Sequence, residues 1–394
     1  MKQITRVLLV GPVVLLFGAC QSTDVPTMEP DPTTLANRLK TAGFDLASVS
    51  AGARHSCGLT RAGRAYCWGS NPSGALGDAS YVDRPLPVPV AGGLTFVSVS
   101  AGGDFSCGLV KGGKAYCWGS NFAGQLGDGS TYFSSNVPVA VVGGLAFSTV
   151  IAADRFACGL TRSGTAYCWG FNAFSGLGNG TNTDSPVPVA VAGGLTFASL
   201  SSNGHSCGLT TAGQAYCWGY NYYGELGIGT SGANSDSNVP VAVAGGLTFV
   251  AISAGQTHTC ALVKGGAAYC WGDPNTLGTA SPGAGSVPVA VDGGLTFTSL
   301  SAGGHSCGLA KGGQAYCWGY NFAGEIGDGT TVARPTPVPV AGALSLSTVT
   351  AGGGHTCALT LNSGAWCWGE NSDGQLGNGD VGIDRSAPTP VATP

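Results

Sequence analysis

Charge is what this sequence has least of. Only 9% of its 394 residues are Asp, Glu, Lys or Arg, and the formal net charge is −4. A nucleic-acid or other polyanionic partner needs a clustered basic surface, and the composition gives no sign of one. Long apolar runs are missing too. The one uninterrupted stretch, residues 7–19, is shorter than the roughly 20 residues a spanning helix needs. No Gly-x-x-x-x-Gly-Lys phosphate loop completed by Ser or Thr occurs. The acidic turns Asp128-Gly-Ser, Asp328-Gly-Thr and Asn378-Gly-Asp380 lack the alternating ligand spacing of a calcium loop and read as tight turns. The sequence therefore implies no metal and no cofactor.

What is present is glycine, 68 residues, together with abundant Val, Leu, Ala, Trp and Tyr, which argues against a disordered chain. Lys2 and Arg6 precede the apolar stretch, and small Gly18 and Ala19 lead into Cys20. This is the layout of a secretory signal. The small residues before the cysteine resemble the signal of bacterial lipoproteins, although Phe17 stands where leucine is usual. The resemblance implies cleavage after residue 19, lipid on Cys20 and an outer-membrane or cell-surface location. A secreted chain with one unpaired cysteine is the alternative. Residues 20–43, with Pro26, Pro30 and Pro32, read as a tether.

From residue 44 the chain repeats itself. The fingerprint Cys107-Gly-Leu-Val-Lys-Gly-Gly-Lys-Ala-Tyr-Cys-Trp-Gly119 occurs seven times, with variations, giving units 44–93, 94–144, 145–194, 195–246, 247–294, 295–343 and 344–394. Period-2 patterning within a unit predicts four strands, in unit two at 95–100, 105–110, 114–119 and within 137–142. The fourth contains Val-Pro-Val. Proline has no N–H for a central ladder, so this strand belongs at an edge. Short strands without helices at a fixed repeat predict an all-β fold, a seven-bladed β-propeller with one four-stranded blade per unit.

Each unit carries two cysteines ten apart around a turn that ends in glycine. A three-residue hairpin loop places them directly opposite each other, within disulfide reach. The expected pairs are Cys57 with Cys67, Cys107 with Cys117, Cys158 with Cys168, Cys207 with Cys217, Cys260 with Cys270, Cys307 with Cys317 and Cys357 with Cys367. Cys20 accounts for the fifteenth. Zinc is the competing arrangement, but opposed hairpin cysteines supply two ligands where its sites draw four. The same register sets Tyr66 against Gly58, Trp68 against Ser56 and Ala65 against Leu59, so that an aromatic ring covers bare backbone. Both sheet faces are then apolar, and blades stacked around an axis cover both.

The segments Ala101-Gly-Gly-Asp-Phe-Ser-Cys-Gly-Leu109 and Gly113-Lys-Ala-Tyr-Cys-Trp-Gly-Ser-Asn-Phe-Ala-Gly-Gln-Leu-Gly-Asp-Gly129 resemble the repeat of the regulator of chromosome condensation family. The best copies of its Trp-Gly-x-Asn-x-x-Gly-Gln-Leu-Gly signature are 118–127, 318–327 and 368–377. The resemblance implies a seven-bladed propeller. Its archetype exchanges guanine nucleotide on a nuclear GTPase through an inserted wedge hairpin, and no unit here carries such an insertion. A secreted bacterial relative inhibits β-lactamases through loops on one propeller face.

Function, on this reading, resides where the units differ. His55, His205, His258, His305 and His355 sit two residues before the first cysteine of their units, with Phe105 and Phe156 in the other two. Equivalent positions are spread around an axis, so these histidines read as structural. The loop after the third strand varies more and carries Tyr132, Phe133, Tyr222 and Tyr223, the candidate binding residues. Phe122 and Phe322, inside the signature, are expected to pack between blades. The expectation is a monomeric, non-enzymatic propeller that binds an envelope or extracellular protein or glycan and touches the membrane through its lipid alone. An enzyme inhibitor, and a carbohydrate-active hydrolase or lyase, are the alternatives.

Overall fold

The computed structural model describes residues 44–281, 283 and 285–394. Residues 1–43, on which the expected export signal, Cys20 and the expected tether fall, lie outside them. Seven four-stranded antiparallel sheets follow one another along the chain, at 48–89, 96–140, 147–190, 197–242, 249–290, 297–339 and 346–390. Blade two consists of Phe96–Ala101, Phe105–Val110, Ala115–Ser120 and Ser134–Ala140. Its first three strands fall within a residue of expectation. The fourth starts three residues early, because Ser134 and Ser135 still pair with Ser120 and Gly119. The proline-bearing fourth strand bonds only to the third and forms the outer edge of its sheet.

The hairpin register is the expected one. Cys107 lies opposite Cys117, Gly108 opposite Tyr116, Ser106 opposite Trp118 and Leu109 opposite Ala115. All seven disulfides form within their own blade. One detail differs. The side chain over the bare glycine comes from the start of the first strand: Phe96 lies over Gly108, Phe147 over Gly159 and Leu46 over Gly58. Tyrosine, though opposite in register, stands beside that ring rather than on the glycine, as with Tyr167 and Phe147.

Each blade has a sulfur face and a tryptophan face, and the ring stacks one on the other. The Cys57–Cys67 face of blade one packs on Phe96 and Trp118 of blade two. The same arrangement recurs up to blade seven, whose Cys357–Cys367 face meets Leu46 and Trp68 of blade one and closes the ring. The seven signature tryptophans, Trp68, Trp118, Trp169, Trp218, Trp271, Trp318 and Trp368, are fully buried. Each Nε1–H donates to a backbone carbonyl in the preceding blade's signature loop at 2.8–3.0 Å, from Trp118 to Ala75 through to Trp68 on Gln375. First strands line the central channel. There Ser50, Ser100, Ser201, Ser253 and Ser301 accept the backbone N–H of the next blade's first strand.

The signature glycine before the acidic turn is required by this stacking. Gly127 has φ +69°, and a Cβ there would lie 2.6 Å from Nε1 of Trp169. Gly143 also has positive φ, but nothing lies within 4 Å of its Cβ position. Gly127→Ala therefore adds overpacking to backbone strain, and is expected to cost about 2–5 kcal/mol. Gly143→Ala carries the backbone part alone, about 1–2 kcal/mol. Urea midpoints of the two variants measure the difference, and equal midpoints would contradict the packing argument.

Candidate functional site

Antiparallel order puts two kinds of connection at each end of the propeller. The loop face carries the first-to-second and third-to-fourth strand loops. The hairpin face carries the cysteine-flanked turns and the links between blades.

The long third-to-fourth strand loops are built around a buried asparagine. In blade one Asn71 Nδ2 donates to the carbonyls of Ser80 and Val82, while its Oδ1 accepts from Leu76 N. Asn121, Asn172, Asn221, Asn321 and Asn371 accept equivalently from Leu126, Leu177, Leu226, Ile326 and Leu376. With the loop base fixed, its variable residues project outward. Tyr132 and Phe133 are 81% and 73% exposed, and Tyr222 and Tyr223 are also exposed. Phe122 and Phe322 do not pack between blades as expected. They are 65% and 79% exposed, because Leu126 and Ile326 of the same loops fill the space between blades.

The structure joins some of these rings. Phe171, Phe174, Tyr220, Tyr222 and Tyr223 form one run across blades three and four, with successive centroids 5.2–6.3 Å apart. Arg155 lies over Phe171. In blade two Phe133 meets Phe122 edge-on at 5.3 Å. A hollow of about 480 Å³ has both Phe122 and Phe171 in its wall, which links the two groups. A single sequence offers no signal for this adjacency, because the rings come from different repeats.

A second hollow, about 560 Å³, spans blades four to seven and is lined by Tyr223, Tyr320 and Phe322 with Asp273, Glu325, Glu370 and Asp384. No carboxylate cluster was visible in sequence, yet the ring assembles this one from three repeats. Asp273 accepts from Asn275 in its own loop and from the Tyr320 hydroxyl of blade six, both oxygens of Glu325 accept from backbone N–H groups of their loop, and Asp384 accepts from Asn371 N. These bonds make them loop-holding acceptors. Glu225, at the position where blades two and seven have Gln125 and Gln375, is buried with Oε2 accepting from Tyr223 N. Burial pushes its carboxyl up to about 8. Among the described residues no three His, Cys, Asp or Glu side chains are grouped to hold a metal.

The histidines are buried between blades. Nε2 of His55, His205, His258, His305 and His355 lies 2.5–2.8 Å from Ser106, Thr259, Ser306, Thr356 and Ser56 of the following blade. The hydroxyls of Ser106, Thr259, Thr356 and Ser56 donate onward to the same carbonyls that receive the tryptophans. Those hydroxyls must then accept from histidine, which puts the proton on Nε2. Where Phe105 replaces histidine, the facing residue is Ala157. The structural reading of these residues holds.

The fold also sorts the charges. On the loop face Arg54, Arg84, Arg155, Arg334 and Arg385 each pair with an aspartate. The other basic residues among those described occupy the hairpin turns: Arg61 and Arg64, Lys111 and Lys114, Arg162, Lys264 and Lys311. Asp45 and Asp292 are the only described acids in the turns and links of that face, so acidic residues concentrate on the loop face.

Fold and loop face together define a seven-bladed β-propeller of the kind that presents variable loops from an invariant ring. The chain belongs to the regulator of chromosome condensation (RCC1) repeat family, whose repeat matches residues 62–109, 112–160, 163–208, 212–262, 312–359 and 363–394. A second form of the repeat matches 47–75, 96–125, 249–279 and 347–375. The repeat is offset from the blade: 62–109 takes the outer two strands of one blade and the inner two of the next. Among solved structures, human WBSCR16 is 22% identical, with 84% of this chain and 95% of that chain covered and a TM-score of 0.74. Prp20p from Saccharomyces cerevisiae is 21% identical, covering 89% and 88%, with a TM-score of 0.73. The ectodomain of the Physcomitrella patens receptor kinase CR4 is 26% identical over 82% and 74%, with a TM-score of 0.53. No curated protein sequence matches the chain.

Proposed function

We propose that this protein is a non-enzymatic binding protein that captures a protein partner through the aromatic side chains of blades two to four on its loop face. We place it at the cell surface, lipid-anchored through Cys20. The observation that carries the reading is the run Phe171–Phe174–Tyr220–Tyr222–Tyr223. Exposed rings held by a rigid scaffold supply large contact area at low entropic cost, as binding hot spots do. Phe133 and Phe122 extend the patch toward blade two. Inhibition of a partner enzyme is one form such binding takes.

Exchange on a small GTPase is the other activity the family suggests, and the structure of Prp20p was described together with its binding to Gsp1p and histones. Two features favour the binding reading over it. Residues 1–19 have the layout expected of an export signal, and each blade has four strands without the added pair a wedge hairpin would bring.

Capture by the immobilised protein from a native envelope extract tests the proposal. Combined Tyr132→Ser, Phe133→Ser, Tyr222→Ser and Tyr223→Ser substitutions should reduce recovery of a specific protein at least a hundredfold and leave thermal stability within a few degrees. Unchanged recovery would rule out this face. Recovery that survives protease treatment of the extract but not glycan oxidation would make the ligand a glycan.

A further inference from the structure

We propose that the hairpin face rests on the membrane, with its lysines and arginines against anionic phospholipid headgroups, so that the loop face points away toward its partner. The argument begins with the segregation of charge. All seven basic residues of the hairpin turns are exposed, and none takes part in an ion pair among the described residues. Arg64 and Lys114 lie over the rings of Tyr66 and Tyr116 in their own blades, which holds their charges at the rim of the face. Every described arginine on the loop face, in contrast, is neutralised by an aspartate. Net composition conceals this, because a chain close to neutral can still carry one basic and one acidic face.

The entry point of the chain is the second observation. Phe44 N donates to Val391 O, Asp45 bridges to Gly364, and Leu46 N donates to Ser363 O. Residues 361–364 are the hairpin turn of blade seven, so whatever precedes residue 44 reaches the propeller at the basic face. If residues 20–43 act as the tether their composition suggests, a random coil of that length would span about 27 Å root-mean-square. A lipid on Cys20 would keep this face within reach of headgroups rather than merely somewhere near the bilayer. Leu361, in the one turn that has an apolar residue where five others have Lys or Arg, is 66% exposed and suits the headgroup boundary.

Clustered basic residues near an anionic surface each strengthen partitioning by about fivefold, and the attraction decays within a Debye length. The partner chemistry is therefore a phosphate-bearing lipid surface, engaged with or without the anchor.

The test uses the full chain with Cys20→Ser, which removes lipid attachment, and vesicles of phosphatidylcholine with or without 30% phosphatidylglycerol. Residues 1–19 are common to all variants, so binding to pure phosphatidylcholine measures their contribution. Anionic vesicles should bind the protein at least a hundredfold better at low salt, and the gain should largely vanish at 0.5 M salt. Joint Arg61→Gln, Arg64→Gln, Lys111→Gln, Lys114→Gln, Arg162→Gln, Lys264→Gln and Lys311→Gln substitutions should remove that gain while leaving partner capture by the loop face intact. Arg54→Gln and Arg334→Gln, on the other face, should leave vesicle binding unchanged. Equal binding to both vesicle types, or an anionic preference that survives the seven substitutions, overturns the proposal. So does binding to a 30-base-pair DNA duplex under conditions where vesicles are not bound, which would assign the face to nucleic acid. Loss of partner capture in the loop-face variant leaves this result untouched, so the two readings fail separately.

Discussion

Reduction of the seven disulfides is expected to unfold the propeller. Each bridge closes a loop between cysteines ten apart. Loop-closure entropy assigns about 2.7 kcal/mol to a loop of that size, or about 19 kcal/mol for seven. That exceeds the roughly 5–15 kcal/mol by which domains are usually stable. The sulfurs also occupy the interfaces between blades, so loss of a bridge loosens the packing on the next blade's tryptophan. All fourteen disulfide-bonded cysteines are fully buried, and a reductant needs the ring to open first. Dithiothreitol alone should therefore act slowly, and dithiothreitol with 2 M urea rapidly. The amount of folded protein by near-ultraviolet circular dichroism, against the thiols titrated, measures both. A fully reduced chain that kept its tryptophan signal would show that the repeats hold without their staples.

Acid is expected to be the second strong destabiliser. Burial drives the five interblade histidines down, to about 4 for His55 and His258 and about 3 for His205, His305 and His355, from an ordinary 6.5. Below pH 6.5 the unfolded chain takes up these protons and the folded one does not. Stability is then complete above 6.5 and falls with pH until the folded values are reached. At pH 5 the loss is about 2 kcal/mol per histidine, or about 10 kcal/mol for five. Glu225 acts the other way. Its carboxyl stays protonated to about pH 8 in the fold and ionises near 4.5 when unfolded, so it lowers stability as pH rises between those values. Lowering the pH from 7 to 5 recovers about 2–3 kcal/mol at this site, which leaves a net loss of about 7 kcal/mol.

Urea midpoints across pH 4.5–8 should show the fall below 6.5 and a shallower decline above it. Glu225→Gln, which copies blades two and seven, should flatten the upper limb. His258→Phe with Ser306→Ala, which copies the Phe105 and Ala157 pair, should remove about a fifth of the lower slope. A profile level from pH 7 to 5 would mean that the histidines reach water.

Much of one blade was legible in the sequence, because what defines a blade is local. A cysteine spacing of ten around a glycine-ended turn fixes the hairpin register, and that register puts Cys107 on Cys117 and Ser106 on Trp118. Proline in the fourth strand marks the edge because a missing N–H is a property of the residue itself. Histidine at equivalent positions in separate repeats excludes a converging site. The reading failed where a side chain had two burial options. Phe122 and Phe322 lie in the signature beside Leu126 and Ile326, and one sequence does not show which of the two enters the gap between blades.

By itself, then, the sequence determined the number of blades, the strand order within them and each disulfide, since all of these are settled by contacts within about fifty residues. Only the tertiary structure decided that sulfur faces meet tryptophan faces, that Trp68 closes the ring on Gln375, and that the rings of blades three and four form one run. Those contacts join residues from different repeats, up to about three hundred positions apart, and identical repeats carry no mark of which neighbour they face. The division into an acidic face and a basic face arises in the same way. Composition sums charge over the whole chain, and the fold separates it by sending every hairpin turn to one end of the propeller and every signature loop to the other.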